Sequence, residues 1–409
     1  MPQGCLAPHA TGEAQVREPA WTPTFFINGK PYSGFMSIEP FNCLIDPLLS
    51  PVEAGVSCES VGSACFVSKL LARLGLVAAL VVSAALAGCV SMDGEDDRGS
   101  IPLNSKIVSE MTAKGMTPAD PIMVRIYKQE SELEVWKRTS NGTYALLKTY
   151  PMCRWSGKLG PKTREGDRQA PEGFYTITRT QLNPRSQYFL SFNLGYPNEL
   201  ESALGYTGAA LMVHGACTSA GCYAMTNNGV AEIYALAREA LKGGQENFQV
   251  QALPFRMTPA NFAAHRTDPN MAFWQNLREG VDYFDLTKQP PTVTACAGRY
   301  RFTATPMPAD AKLDPLGPCP VDPASAAIAQ RIQQREAAEA AEIAAIAAAN
   351  PPLAASYVDG GMHKSFREVL RRSGPEKLGA LTSGPIPVSQ PDAALKDPYP
   401  GAVTASLAQ

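Results

Sequence analysis

The stretch HGACTSAGCYAMT, His214 to Thr226, places one histidine, two cysteines and a serine between positions 214 and 222. The chain holds only four histidines, so this concentration asks for a chemical reason. Three readings compete: a metal site, a nucleophilic cysteine with its base, or coincidence in a buried strand. For zinc, His214, Cys217 and Cys222 could supply three ligands. A closed structural site wants four, drawn from paired CxxC or HxxxH units. No second pair exists, since Cys153, His265 and Cys296 stand apart, so no metal is assigned. Coincidence suits Cys153, inside a strand-like run, and extends to Cys217, because a buried free cysteine behaves as a small hydrophobe. It suits Cys222 poorly. Ser219, Ala220 and Gly221 before it are small, and such a turn can aim two N–H groups at a developing oxyanion.

The nucleophile reading needs a thiolate. Free cysteine titrates near ~8.5, so a neighbouring imidazole must take or share its proton. His214 is the histidine close in sequence, eight positions before Cys222. Ser219 between them can bond the imidazole or a substrate carbonyl. That set suits acyl transfer: thiolate attack, an oxyanion held by backbone N–H groups, a thioester, then a second nucleophile.

The flanking elements place this turn. AALMV runs as an apolar strand into His214, and Gly215 permits a sharp turn. After Met225, Val230, Ile233, Tyr234, Ala237 and Leu241 recur at helical spacing, with Thr226 or Asn228 to cap the start and Gly243-Gly244 to stop it. IMVRIYK (122–128), GFYTITR (173–179), QYFLSFN (187–193) and FQVQALPF (248–255) read as strands. ELEVWKRT and YALLKTYPMC flank Asn141-Gly142, a hairpin signal. The loop SGKLGPKTREGDRQAPEG separates two of the strands. The dense part is thus β-rich with a helix after the cysteine. A net charge of −2 without a basic stripe argues against a nucleic-acid partner. Ten cysteines in 409 residues are too sparse for a disulfide scaffold.

With these residues in view, His214-Gly215 followed by Ser219-Ala220-Gly221-Cys222 resembles the signature of the YkuD-type L,D-transpeptidase catalytic domain, and the whole stretch is similar to its YafK-like branch. The resemblance extends over SGKLGPKTREGDRQAPEGFY, LSFNLGYPN and FRMT, about 120–305. It implies an α+β fold with a β-rich sandwich and a cysteine enzyme acting on peptidoglycan stem peptides, by attack on the carbonyl of meso-diaminopimelate at an L,D bond. It implies no cofactor. Carried over, Cys222 is the nucleophile, His214 the base, and Ser219 and Gly221 line the turn. The acceptor could be another stem peptide or a wall-linked lipoprotein. With water as acceptor, the same thioester makes a hydrolase, amidase or L,D-carboxypeptidase. A wall-binding module without catalysis is the third reading, disfavoured by the intact residue set. Two positions depart from the wider family. Ala224 stands where arginine is common and Ala220 where histidine is frequent. Lys158, Lys162 or Arg164 on the long loop could then hold a substrate carboxylate, against the plain reading of a solvated basic loop. Tyr223 beside the cysteine is a further binding candidate.

Upstream, Lys69 and Arg73 precede an apolar run from Leu74 to Ala87, of signal-peptide length and short of the roughly 20 residues that span a bilayer. It ends in Leu86-Ala87-Gly88-Cys89, which resembles a bacterial lipobox with Cys89 as the lipidated residue. The expected organisation is a leader or mis-assigned start at 1–65, a lipoprotein signal at 66–89 and a tether at 90–117. The catalytic domain follows at 118–305, then a proline-rich linker at 306–323, an alanine-rich helix at 324–349 that is mostly solvated, and a largely disordered tail at 350–409. Within the tail, YVDGGMHKSFREVL is a denser island. Export would place the domain facing the periplasm on a lipid anchor, outer membrane favoured, and in an oxidising compartment Cys296 and Cys319 are expected to pair.

Overall fold

The computed structural model describes residues 97–304, 313–349, 351–354, 357 and 359–382, and two short strands near the start. The chain divides into two compact units, Met1–Ser91 and Met92–Gln409. In the first, β1 (Thr24–Ile27) pairs antiparallel with β2 (Lys30–Ser33). The apolar run, the lipobox at Cys89 and the start of the tether lie outside the described residues.

The second unit carries α1 (Ser105–Ala113), β3 (Ile122–Tyr127), β4 (Glu132–Arg138), β5 (Tyr144–Pro151), β6 (Arg154–Trp155), β7 (Gly173–Thr178), β8 (Leu182–Asn183) and β9 (Ser191–Asn193). It continues with α2 (Glu199–Ala203), β10 (Met212–His214), β11 (Tyr223–Ala224), α3 (Asn227–Lys242), β12 (Asn247–Leu253), α4 (Pro259–Ala264) and α5 (Met271–Thr287). Last come β13 (Thr292–Cys296), β14 (Arg299–Thr303), α6 (Ala326–Ala348) and α7 (Lys364–Thr382), the last kinked at Gly374. The fold is α+β. Its two five-stranded sheets run β5-β4-β3-β12-β7 and β6-β11-β10-β9-β8. One hydrophobic core takes side chains from both, among them Val124, Ile126, Val250 and Phe248 from the first and Trp155, Phe192, Val213 and Tyr223 from the second.

Local sequence accounts for the framework. Gly142, at φ 87°, turns the β4–β5 hairpin, a conformation glycine takes without strain. Thr226 caps α3 by accepting the Gly229 N–H at 2.9 Å, and Val230, Ile233, Tyr234, Ala237 and Leu241 are all buried. Gly243 ends the helix where a Cβ would lie 2.3 Å from the Ala119 carbonyl oxygen.

Four sequence expectations need correction. The tether expected at 90–117 carries α1, whose Ile107 and Met111 are buried in the core, so this stretch is part of the domain. β3 alternates in sequence, yet it is buried throughout, because Ile122, Val124 and Ile126 face the core while α5 covers the other face, Phe284 packing with Met123 and Val281 and Asp285 bonding Arg125. Its Arg125 is satisfied inside by Asp285 at 2.8 Å and Gln251 at 2.7 Å. The run 187–193 forms a strand only from Ser191, since Phe189 at φ 73° breaks the extended backbone. Within the tail, the island YVDGGMHKSFREVL, as far as it is described, packs against the domain, and the helix it starts runs on to Thr382. Trp155 N–H donates to the Gly361 carbonyl at 3.1 Å and receives the return bond at 3.2 Å, while His363 N–H reaches the Met152 carbonyl at 3.0 Å. Tyr357 packs edge-on to Trp155 at 4.8 Å, and Asp359 pairs with Arg154 at 3.0 Å. This strap lengthens the second sheet beyond β6. Backbone bonds, one aromatic ring and one ion pair hold it, features that carry no hydrophobic period.

α6 is mostly exposed, with Ile332 its buried side chain, but its charges are not merely solvated. Arg335 reaches Asp282 of α5 at 3.2 Å, and Glu339 pairs with Arg278. Cys296 and Cys319 form a disulfide, as expected, tying the β13–β14 hairpin to the segment before α6.

Candidate active site

His214 ends β10 and Cys222 directly precedes β11. The two strands run parallel, with Val213 opposite Tyr223 and His214 opposite Ala224. Side chains alternate along a strand, so His214 and Cys222, two residues apart in register, project from one face. Val213 and Tyr223 project from the other, into the core. Strand and residue spacings put the two Cα atoms roughly 8 Å apart, within side-chain reach. On the far side of β11, β6 runs antiparallel with Arg154 opposite Ala224. Extending that register by one residue sets Ser156 opposite Cys222. On the far side of β10, Ser191 of β9 lies opposite His214. The face therefore carries two rows: Arg154, Ala224, His214 and Ser191, then Ser156, Cys222, Met212 and Asn193.

Between His214 and Cys222 the chain makes a constrained loop. Ala216 at φ 66° and Cys217 at φ 39° occupy the left-handed region. Their placement is held from outside: Asn227 Oδ1 accepts the Ala216 N–H at 2.9 Å, and Cys217 is joined to Cys153. This disulfide corrects the view of both as free buried hydrophobes. It also removes Cys217 from any metal set with His214, and leaves Cys222 as the free cysteine among the described residues. Gly221, at φ 135°, takes a conformation that a side chain would strain.

Ser219 is the keystone of the turn. Its hydroxyl accepts the Cys222 N–H at 3.0 Å and the Gly221 N–H at 3.3 Å, and donates to the Cys222 carbonyl at 2.7 Å. It also meets Ser156 Oγ at 3.1 Å. Two expectations change in consequence. Ser219 bonds the turn's own backbone and not the imidazole, and the N–H groups of Gly221 and Cys222 point at its oxygen and not at an open oxyanion position.

His214 is buried, covered by Tyr188, whose ring centroid lies 4.7 Å away. Its Nδ1 meets the Gly215 carbonyl at 2.5 Å. A carbonyl only accepts, so Nδ1 carries the proton and Nε2 keeps its lone pair. Burial pulls the ring down to about 4, partly opposed by that bond. Burial likewise raises the Cys222 thiol, against the Met212 N–H and the Lys162 charge, both of which lower it. Thiol and imidazole are therefore both neutral at rest.

Of the four binding candidates, Lys162 comes to the site. It is buried, bonds Asp167 at 2.5 Å and the Arg164 carbonyl at 2.8 Å, and its charge acts on Cys222. Lys158 and Arg164 are exposed on the loop. Tyr223 is turned away: its ring lies in the core and its hydroxyl bonds the Pro171 carbonyl, as alternation next to Cys222 requires. Sequence reasoning passed over Arg154, Ser156 and Ser191. Register alone brings them to the face, although alternation around Trp155 within CRWSG hints at two of them.

The site thus places a free thiol and a tautomer-fixed histidine on one face of a mixed sheet. Residues 122–245 match the YkuD L,D-transpeptidase catalytic domain, and the chain belongs to that family. YafK of Escherichia coli strain K12, whose name places it among L,D-transpeptidases, is 42% identical over 222 residues, 54% of this chain and 88% of YafK. Among solved structures, the helical cell shape determining protein Pgp2 from Campylobacter jejuni aligns over 46% of this chain and 79% of its own at 18% identity and a TM-score of 0.28. Among the described residues no cluster is arranged to hold a metal ion, and no helix is long and apolar enough to cross a membrane.

Proposed function

We propose that the chain is a cysteine-dependent L,D-transpeptidase acting on peptidoglycan stem peptides, with Cys222 as nucleophile and His214 as base. The observation that carries this is the free Cys222 thiol on the same face as a histidine whose Nδ1–H is committed to Gly215 O. In the acylation step the thiol proton passes to Nε2 of His214 while sulfur attacks the carbonyl carbon, whose oxygen takes the negative charge. Collapse breaks the C–N bond. The departing amine takes the proton from the imidazolium, and the acyl group remains as a thioester on Cys222. An incoming amine then completes transfer, joining a second stem peptide or a wall-linked lipoprotein. Lys162 is suited to meet a substrate carboxylate, and Ser219 and Gly221 hold the turn that presents the thiol. No cofactor enters these steps. The Leu86–Cys89 pattern supports a lipid anchor that keeps the domain facing the periplasm.

Incubating the purified full chain with a tetrapeptide muropeptide, with and without an amine acceptor, tests this by intact mass. Wild type is expected to gain the acyl mass and pass it to the amine, and Cys222→Ala to gain none. An adduct that survives Cys222→Ala overturns the assignment, and a product formed only with water replaces the transferase by a hydrolase.

A further inference from the structure

The long loop and the tail meet at the rim of the reactive face. Gly360 of the strap lies over β6: its N–H bonds the Gly157 carbonyl at 2.5 Å, and a Cβ on it would stand 2.6 Å both from Ser156 Cα and from Arg154 Nη1. Beside it, the Asp359 carboxylate meets Arg154 at 3.0 Å and Arg168 of the loop at 3.8 Å. Both cations reach the same oxygen, Oδ2, and neither of these contacts uses Oδ1. The Arg154 side chain is 1% exposed, against 38% for Asp359 and 58% for Arg168. A buried guanidinium thus fixes a carboxylate at the surface, next to a second guanidinium that faces solvent. Arg168 is itself held. Its φ of 55° is left-handed, its carbonyl accepts the Ser156 hydroxyl at 2.8 Å, and Asp167 before it is tied to Lys162. Exposed ion pairs add little to stability, so the fold gains little from the Asp359–Arg168 contact. Ser156 lies opposite Cys222 by register, which puts the strap two strand spacings from β11, roughly 10 Å away.

From this juxtaposition we propose that Asp359 and Arg168 clamp a zwitterionic amino-acid head group, Asp359 Oδ1 accepting from its ammonium and the Arg168 guanidinium pairing with its carboxylate, while buried Arg154 holds Asp359 in place. This rests on the stem-peptide reading of the active site. When Cys222 attacks the main-chain carbonyl of meso-diaminopimelate, the side chain of that residue carries such a head group at its far end. From the attacked carbonyl to the side-chain carboxylate the extended span is roughly 8 Å, and the thiol approaches that carbonyl to about 3 Å, so the head group reaches the strap. Binding exchanges partners in kind. Arg168 trades a contact of 3.8 Å for a carboxylate that it can meet with two N–H groups, and Asp359 keeps Arg154 at its other oxygen. A lysine side chain offers the ammonium without the carboxylate. A side chain whose amine is acylated offers the carboxylate without the ammonium. The clamp therefore selects the free diamino acid over both.

The test compares three tetrapeptide muropeptides that differ only at the third residue: meso-diaminopimelate, lysine, and meso-diaminopimelate with its side-chain amine acetylated. Acylation of the full chain is followed by intact mass, as wild type, Arg168→Gln and Asp359→Asn. Wild type is expected to favour the free diaminopimelate donor over each of the others by roughly fivefold in kcat/KM, the scale of one exposed charge pair. Arg168→Gln should erase its lead over the lysine donor by slowing the diaminopimelate donor alone. Asp359→Asn should erase its lead over the acetylated donor. Equal losses on all three donors, or no loss on any, overturn the inference. Arg168 lies outside the strap, so its variant decides the matter even if Asp359→Asn loosens the tail. Equilibrium binding of the same peptides to Cys222→Ala, with and without Arg168→Gln, reads the clamp without the chemistry. A preference for free diaminopimelate that Arg168→Gln removes there supports the clamp even where wild type forms no acyl adduct, a result that sinks the acyl-transfer reading alone. Equal binding of all three peptides overturns the clamp.

Discussion

Tyr223 and Cys222 are neighbours in sequence and opposites in environment. One side chain fills the core between the sheets, its hydroxyl bonded to Pro171, while the other is half-buried among Lys162, Met212 and the Ser219 turn. The same division runs across the whole short sheet. Trp155, Val213, Phe192 and Tyr223 are core, and the rows containing Arg154, Ser156, Cys222, His214 and Ser191 are polar or reactive. Stability and chemistry are thus separated by a single residue step, so substitutions on the two faces should fail in different ways.

The sharpest contrast pairs Cys222→Ala with Tyr223→Ala. The first is expected to abolish the acyl adduct and leave the urea midpoint near wild type. The second is expected to cost about 3–5 kcal/mol of stability, as large aromatic truncations in a core do. A Cys222→Ala protein that unfolds early would break the separation. Next, His214→Gln should slow acylation by roughly 10²–10⁴-fold with the fold intact. Its pH behaviour sharpens the point. Burial holds the folded ring at about 4, below its unfolded value near ~6.5. As the proposed base, His214 is then expected to stay competent through neutral and mildly acidic pH, with the rate lost only as pH falls toward 4. Between about 6.5 and 4 the unfolded chain binds a proton that the folded ring refuses, so this residue's contribution to stability is present above that window and declines as pH drops through it. His214→Gln should be spared that part of the decline in parallel urea titrations.

Comparing the two disulfides gives a smaller effect. Cys153 and Cys217 close a loop with a separation of 64 residues, and Cys296 and Cys319 one of 23. Loop-closure entropy assigns about 4 and 3 kcal/mol respectively. Replacing either pair by alanine should lower the melting midpoint, but only loss of Cys153–Cys217 should also slow acylation, because it frees the loop that carries Ser219 and Cys222. The smallest expected change is Lys162→Met. Removing a charge that lowers the thiol should move the iodoacetamide alkylation midpoint of Cys222 upward.

Much of this division is written locally. Asn141-Gly142, the α3 periodicity with its Thr226 cap and the spacing from His214 to Cys222 depend on residues close in sequence, and they read correctly. What depends on register does not read. Nothing local indicates that Ser191 will lie opposite His214, that Ser156 will meet Ser219, or that Cys153 will reach Cys217 across 64 positions. Ser219 shows the same limit from within: its type and place were legible, but the direction of its bonds was decided by the closed turn. The early end of β9 follows from one backbone angle at Phe189, a residue that favours strands elsewhere.

The strap formed by Tyr357 and residues 359–363 has a consequence for how this domain can be cut and made. It covers the outer edge of β6, where Gly360, at φ 71°, packs so closely on the Trp155 carbonyl that any side chain would collide. An uncovered edge offers unpaired N–H and C=O groups to any passing strand. A version of the protein ending after β14 would present that edge, together with the exposed flank of Trp155, and should self-associate by strand addition. Because 205 residues separate Arg154 from Asp359, the seal also closes late as the chain emerges, leaving an interval in which a holding partner or a low local concentration protects the nascent sheet.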